Sequence, residues 1–350
     1  MTTVYLHVGM PKCASSALQS FLHKNDASHR AEGLLYPIAI RETSGYFSHR
    51  PLHRLKHEDV PAEIDAIANE ARKHNCNKII ISSEEFTNSL WDRAITGHIV
   101  ESLNTSFGTQ NVRILALFRN HFPFVESVYA QFLKGGMFRT PDEKFINSKN
   151  SGVSAFCANF RNRNGFDFFS YGDFIERIRF HAPFNPLDLL SVERSDWNGD
   201  NVIDVLSHRF GITGSSATGS ENQRYSETAL YLLHYSRKKY GFTRTKQRRN
   251  IIAKTFPPSD RKFSKLLHVS GALFDMVAEA SERDRRYFER NTNEPNENLF
   301  NTPDAYKMQR SQDDQLYIPD WNFHLVDLIM QPDEMSFRQA TKIKFSIEEN

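Results

Sequence analysis

The sequence predicts an α/β fold: a central parallel sheet flanked by helices, opened by a strand–loop–helix unit and followed by a mainly helical second half. Three observations carry that expectation. Short apolar runs rich in β-branched residues recur at residues 4–8, 78–82, 112–118 and 187–192. Segments with apolar residues at helical spacing lie between them, so strands and helices alternate as they do when crossover helices join parallel strands. No internal repeat or heptad array points to another architecture.

The first strand, residues 4–8, is broken by Gly9-Met10-Pro11. Ala17, Leu18, Phe21 and Leu22 then recur at helical spacing, with Ser15 or Ser16 as the expected N-cap. Residues 33–37 read as a short extended piece, and a polar loop with His49 and His53 follows. Val60, Ile64, Ile67, Ala68 and Ala71 mark a helix before the strand KIIIS at 78–82, from whose end Ser83-Glu84-Glu85-Phe86 departs. A weaker helix covers residues 93–106. Arg119-Asn120 leaves the strand VRILALF, and Pro123 opens a helix through Val128, Phe132 and Leu133 that Gly135-Gly136 stops.

Residues 138–163 are polar and weakly patterned, and read as a surface excursion over the cleft. Helices are expected at 171–181, at 201–210 before Gly211, from the Ser226 cap to Tyr240, and across 259–290. The tail beyond Asn291 carries little pattern. The expectation is one domain over 1–350, with a core at 1–135, a helical part at 136–300 and a C-terminal tail at 301–350.

Composition narrows the class. With 25% charged residues and a net charge of +2, the chain is an ordinary globular sequence with no global case for nucleic acid. Its 28 phenylalanines point to aromatic-rich packing. Cys13, Cys76 and Cys157 lack metal-like spacing and are too few for a disulfide framework. Cys13 sits beside Lys12 at an expected helix start, where a thiol can become reactive, but a small filler residue is the simpler role. No apolar run approaches the length that spans a bilayer, and the first strand begins almost at once, so a cytoplasmic location is expected.

The first turn suits phosphate for physical reasons. The leading N–H groups of a helix lack intrahelical partners, and the macrodipole makes that end partly positive. A strand-to-helix turn aims those groups at one point, where Lys12 adds charge and Ser15 and Ser16 add donors. The unit is thus P-loop-like, yet Lys12 comes early and no Gly precedes it directly, unlike the Gly-Lys-Ser/Thr ending of a Walker loop. Ala14 stands where a Gly would ease a positive φ, so the turn either avoids that conformation or bears strain. A capped helix with a merely solvated Lys12 is the bland alternative.

Ligands of open α/β sheets bind beyond the carboxyl ends of the strands. Lys12, Glu84 and Arg119 each follow such an end, so one cleft should gather all three. Arg119 alone would be read as a structural ion pair. However, Ser127 follows it by eight positions on the next helix, and Tyr129 by ten.

Pro11-Lys12-Cys13-Ala14-Ser15-Ser16 resembles the 5′-phosphosulfate loop of sulfotransferases, and Arg119 with Ser127 resembles their 3′-phosphate motif. The chain is therefore similar to sulfotransferases that use 3′-phosphoadenosine-5′-phosphosulfate (PAPS), and most of all to bacterial carbohydrate-type members. Leu34-Leu35-Tyr36-Pro37, Ser82-Ser83-Glu84 and Asn222/Arg224/Ser226 add looser likeness. The Arg-Lys-Gly segment of cytosolic aryl and steroid sulfotransferases is missing, and Asn222 with Arg224 is the candidate replacement.

The resemblance implies sulfuryl transfer from PAPS to a hydroxyl, most readily of a carbohydrate such as a polysaccharide or glycolipid, without a metal. Lys12, Cys13, Ala14, Ser15 and Ser16 would hold the 5′-phosphosulfate, and Arg119 and Ser127 the 3′-phosphate. The acceptor needs a base, for which Glu84 ranks first, His53 second and His49 third. A Glu84 carboxylate simply paired with Lys12 is the structural alternative. Seven Lys or Arg among residues 237–250 read as a solvated helix end, or as a docking strip for an anionic acceptor. Two rival functions stay open: a nucleotide kinase with a P-loop-type site, and a non-catalytic nucleotide-binding protein of the same fold.

Overall fold

The computed structural model describes residues 1–45, 47–86, 95–135, 153–213, 225–257, 271–304, 306, 320–331 and 339–340. The chain divides into two compact units. The first comprises residues 1–120, 170–221 and 281–301, and the second residues 121–169, 222–280 and 302–350.

The first unit holds a five-stranded sheet of β1 (Thr3–His7), β2 (Leu34–Leu35), β3 (Lys78–Ser82), β4 (Val112–Phe118) and β5 (Leu187–Ser191). Its order is β2-β3-β1-β4-β5, and every neighbouring pair is parallel. His7 lies opposite Ser82 in the β1–β3 register, and Val4 opposite Val112 in the β1–β4 register. The strands read as continuous apolar runs because a parallel sheet is covered on both faces. Accordingly Val4, Leu6, Ile79, Ile80, Ile81, Leu115 and Leu117 are fully buried. The chain leaves β1 for the β2/β3 side and then crosses to β4 and β5. The winding therefore reverses beside β1, which makes the carboxyl end of β1 the place for a ligand.

Helices are numbered along the chain. The first unit contains α1 (Ser15–Lys24), α2 (Asp26–Ala31), α3 (Val60–Lys73), α4 (Ile95–Phe107), α7 (Tyr171–His181), α8 (Val202–Phe210) and α12 (Glu297–Phe300). The second contains α5 (His121–Gly135), α6 (Val153–Asn164), α9 (Glu227–Tyr240), α10 (Phe242–Thr255) and α13 (Asp320–Ile329). Helix α11 (Gly271–Asn291) gives its residues from 281 onward to the first unit. On one sheet face, Tyr5 meets Phe210 of α8 with ring centroids 4.8 Å apart. On the other, Phe118 packs its ring against Tyr171 and Phe174 of α7 and Phe288 of α11.

The four main strands fall where the apolar runs put them. The expected Ser226 cap holds, its Oγ accepting from Ala229 N ahead of α9, and Asn201 Oδ1 accepts from Ile203 N and Asp204 N ahead of α8. Two segments differ. Residues 153–164, expected in a surface excursion, form α6, because Val153, Phe156, Cys157 and Phe160 bury one helical stripe. The tail contains α13, which buries Leu325, Val326 and Ile329.

Phenylalanine forms the core of the second unit. Phe156 lies 4.8 Å from Phe132 and 5.5 Å from Phe168 between ring centroids, and Phe122 lies 5.1 Å from Tyr306. Four cations of the basic segment are bound into this unit. Arg237 is buried over the Phe132 ring and donates to the Phe132 carbonyl at 2.6 Å. Lys239 pairs with Asp327 at 2.8 Å, while Arg244 donates to Met330 O and Arg249 to Lys134 O. Among the described residues, no helix is long and apolar enough to cross a membrane.

Candidate functional site

The carboxyl end of β1 is tied on both sides before the chain turns. Val8 N donates to Leu115 O at 3.0 Å, and Ser83 N donates to His7 O at 3.1 Å. Gly9 then lets α1 descend onto the strand, since a Cβ there would stand 2.7 Å from Ser15 Oγ and 3.1 Å from His7 Cε1. Lys12 and Ala14 both take left-handed backbone, with φ of 66° and 64°. The strained alternative at Ala14 is therefore the one adopted. A left-handed residue with a Cβ costs about 1–2 kcal/mol, so two of them store strain in this one turn.

Ala14, and neither Ser15 nor Ser16, is the N-cap of α1, and no side chain caps the helix. The serines are its first two residues. Among the described residues, the first-turn amides of Ser15, Ser16 and Ala17 donate to no carbonyl, the first intrahelical bond being Leu18 N to Ala14 O. No acidic residue lies in that first turn.

Charges of both signs meet around the turn. Lys12 and Arg119 are both half-buried. Burial pushes the Lys12 ammonium below its usual range, and Arg119 adds to the push while Glu84 opposes it. Among the described residues, neither Lys12 nor Arg119 makes an ion pair or a side-chain hydrogen bond. Burial raises the Glu84 carboxyl, with Lys12 and the Ser15 hydroxyl pulling back towards the anion and Glu85 repelling it. Lys12, Ser15, Glu84 and Arg119 thus share one electrostatic neighbourhood at one edge of the sheet, as the strand-end rule predicts.

Cys13, between the two left-handed residues, is fully buried, and its Sγ faces the Arg119 backbone amide. Burial pushes its thiol far above the thiolate range, so the filler role holds and the reactive one does not.

The histidines separate by their partners. His49 is fully buried: its Nδ1 accepts from Ser82 N at 3.2 Å and its Nε2 donates to Pro37 O at 3.1 Å. Both nitrogens are spent on the backbone. His53 Nδ1 lies 3.1 Å from Arg50 O, and its Nε2 lies 4.0 Å from Glu85 Oε2. The His53 ring thus lies between the Arg50 carbonyl and the Glu85 carboxylate.

Sequence reasoning missed what lies beneath and behind the turn. His7 Nδ1 meets Ser82 Oγ at 2.8 Å, and Gln19 Nε2 donates to the same Oγ at 3.1 Å. All three residues are buried. The Ser82 hydroxyl thus bridges the Gln19 amide and one nitrogen of the His7 ring, the other being Nε2. That atom has no partner among the described residues and lies under Gly9. Behind Arg119, Tyr171 Oη donates to the Arg119 carbonyl at 2.5 Å, and Asn120 N donates to Glu193 Oε1 at 2.9 Å. The strand-end rule could have found Glu193, which follows β5, whereas nothing in the sequence singled out Tyr171.

Ser127 is half-buried on α5 in the second unit. Asn222 and Arg224 lie outside the described residues. Among the described residues, no group of three or more His, Cys, Asp or Glu side chains is arranged to hold a metal ion. No family model, curated protein or solved structure matches the chain.

Proposed function

We propose that the chain is a PAPS-dependent sulfotransferase acting on a hydroxyl, most readily that of a carbohydrate. One observation carries the reading. Among the described residues, two half-buried cations, Lys12 and Arg119, have no ion-pair partner and stand beside three helix amides that donate to no carbonyl. A polyanion supplies what that arrangement lacks.

In this reading Lys12, Ser15, Ser16 and the backbone of Cys13 and Ala14 hold the 5′-phosphosulfate. Arg119 holds the 3′-phosphate through its planar fork, and the sequence motif assigns Ser127 to the same group. The acceptor oxygen attacks sulfur as the bond from sulfur to the bridging 5′-phosphate oxygen breaks. Lys12 stabilises the charge that develops on that oxygen. The acceptor proton passes to Glu84, whose raised pKa makes it a better base than an exposed carboxylate. Adenosine 3′,5′-bisphosphate leaves with the electron pair of the broken bond.

The test is calorimetric titration with adenosine 3′,5′-bisphosphate, without Mg²⁺, beside AMP and ATP. Micromolar binding of the bisphosphate, well above AMP, is expected. Arg119→Ala should weaken it by about 1.5–3 kcal/mol, the worth of a hydrogen bond to a charged group. Preference for ATP, or dependence on Mg²⁺, overturns the reading in favour of a nucleotide kinase. Retained binding without transfer to any hydroxyl favours a non-catalytic nucleotide-binding protein.

A further inference from the structure

Arg119 is the first residue beyond β4, where a strand end would ordinarily be hydrated and loose. Here three successive backbone groups around it are taken. Val192 N donates to Phe118 O at 2.8 Å, Tyr171 Oη to Arg119 O at 2.5 Å, and Asn120 N to Glu193 Oε1 at 2.9 Å. The Asn120 side chain donates in turn to the carbonyls of Asn298 and Asn301.

Tyr171 is itself fixed. It is fully buried, with its ring 4.9 Å from that of Phe118. Its backbone amide donates to Asp284 Oδ2 at 2.7 Å, and that of Gly172 donates to Asp284 Oδ1 at 3.0 Å. Asp284 is also buried, so α11 lends a carboxylate to the open amides at the start of α7. Glycine at 172 permits this approach, because a Cβ there would stand 3.2 Å from Asp284 Oδ1. A phenylalanine at 171 would fill the same space and pack on the same ring. What the tyrosine adds is a hydroxyl on the carbonyl of Arg119.

We propose that Tyr171 and Glu193 are positioning residues that fix the backbone at Arg119, and through it set selectivity for a nucleotide carrying a 3′-phosphate. Asp284 holds Tyr171 in place for this task. The inference rests on the sulfotransferase reading. It adds the residues that aim the guanidinium, which that reading leaves unexplained. A guanidinium binds a phosphate with two parallel hydrogen bonds only when its direction is set to a fraction of an ångström.

The experiment compares adenosine 3′,5′-bisphosphate with AMP on the full chain by calorimetry, in wild type, Tyr171→Phe, Glu193→Ala and Glu193→Gln. Tyr171→Phe and Glu193→Ala should each weaken bisphosphate binding about tenfold and leave AMP within about twofold, since AMP has no group for Arg119 to meet. Glu193→Gln keeps an acceptor oxygen and should retain the wild-type ratio. Equal losses of both ligands, or an unchanged ratio in both truncating variants, overturns the positioning role. If Tyr171→Phe does not fold, the contrast between Glu193→Ala and Glu193→Gln decides. A wild-type protein that does not prefer the bisphosphate overturns the sulfotransferase reading, and this inference with it. A wild-type preference that survives every variant overturns this inference alone.

Discussion

Acidification should destabilise the first unit well before its carboxylates are neutralised, because two buried histidines stand beneath the loop edge. His7 and His49 are fully buried, and burial pushes each down to about 3 from an ordinary 6.5. In each case the folded value lies below the unfolded one, so the unfolded chain takes up the proton first as pH falls. Stability is therefore intact above about pH 6.5, is lost progressively towards pH 3, and levels off below. At pH 5 each group has been carried about 1.5 units below its unfolded pKa. At about 1.4 kcal/mol per unit, that is about 2 kcal/mol each and about 4 kcal/mol together. Lowered pKa values at His29 and His181 add in the same direction, and the raised value at Glu84 opposes. Urea unfolding followed by circular dichroism at steps from pH 8 to pH 5 measures the loss. His7→Asn combined with His49→Asn should remove most of the slope while lowering stability at pH 8. A loss under about 1 kcal/mol between pH 8 and pH 5, or an equal slope in the double variant, refutes the reasoning.

Two further outcomes follow from the turn itself. Ala14→Gly relieves about 1–2 kcal/mol of left-handed strain against about 0.5–1 kcal/mol of added chain entropy, so it should stabilise by up to about 1.5 kcal/mol. A melting temperature below that of wild type would count against the strained turn. Glu84→Gln removes the proposed base without removing volume, and should lower turnover by about 10²-fold or more. Bisphosphate affinity should hold or improve in that variant, since a negative charge has left the anion site. Turnover within threefold of wild type would move the base elsewhere.

The sheet was legible because a strand buried on both faces must be apolar at every position, as KIIIS and VRILALF are. The rule that ligands meet strand ends then brought Lys12, Glu84 and Arg119 to one edge without any coordinate. Helix α6 was missed for a local reason. Its buried stripe of Val153, Phe156, Cys157 and Phe160 is diluted by Asn and Arg on the outer face, and a polar average hid the spacing. What supports the site was hidden more deeply. Ala14 shows its strain only in φ, and a sequence can name the residue that lacks glycine's freedom without saying which conformation it takes.

The partners of Arg119 illustrate the limit of pattern reading. Phe118 and Arg119 announce themselves by position, at the end of an apolar run and just past it. Tyr171 and Asp284 lie 52 and 165 residues beyond Arg119 in a sequence that gives neither any local mark. Each looks like an ordinary helix residue, one aromatic and one acidic. Their meaning comes from a pairing of elements, since a carboxylate of α11 reaches the amides of α7 only after both have packed on the Phe118 face. Chemistry that must face a ligand is confined to strand ends and helix starts, where sequence marks it. The contacts that aim that chemistry can arrive from any element the core brings close, and only the packed structure identifies them.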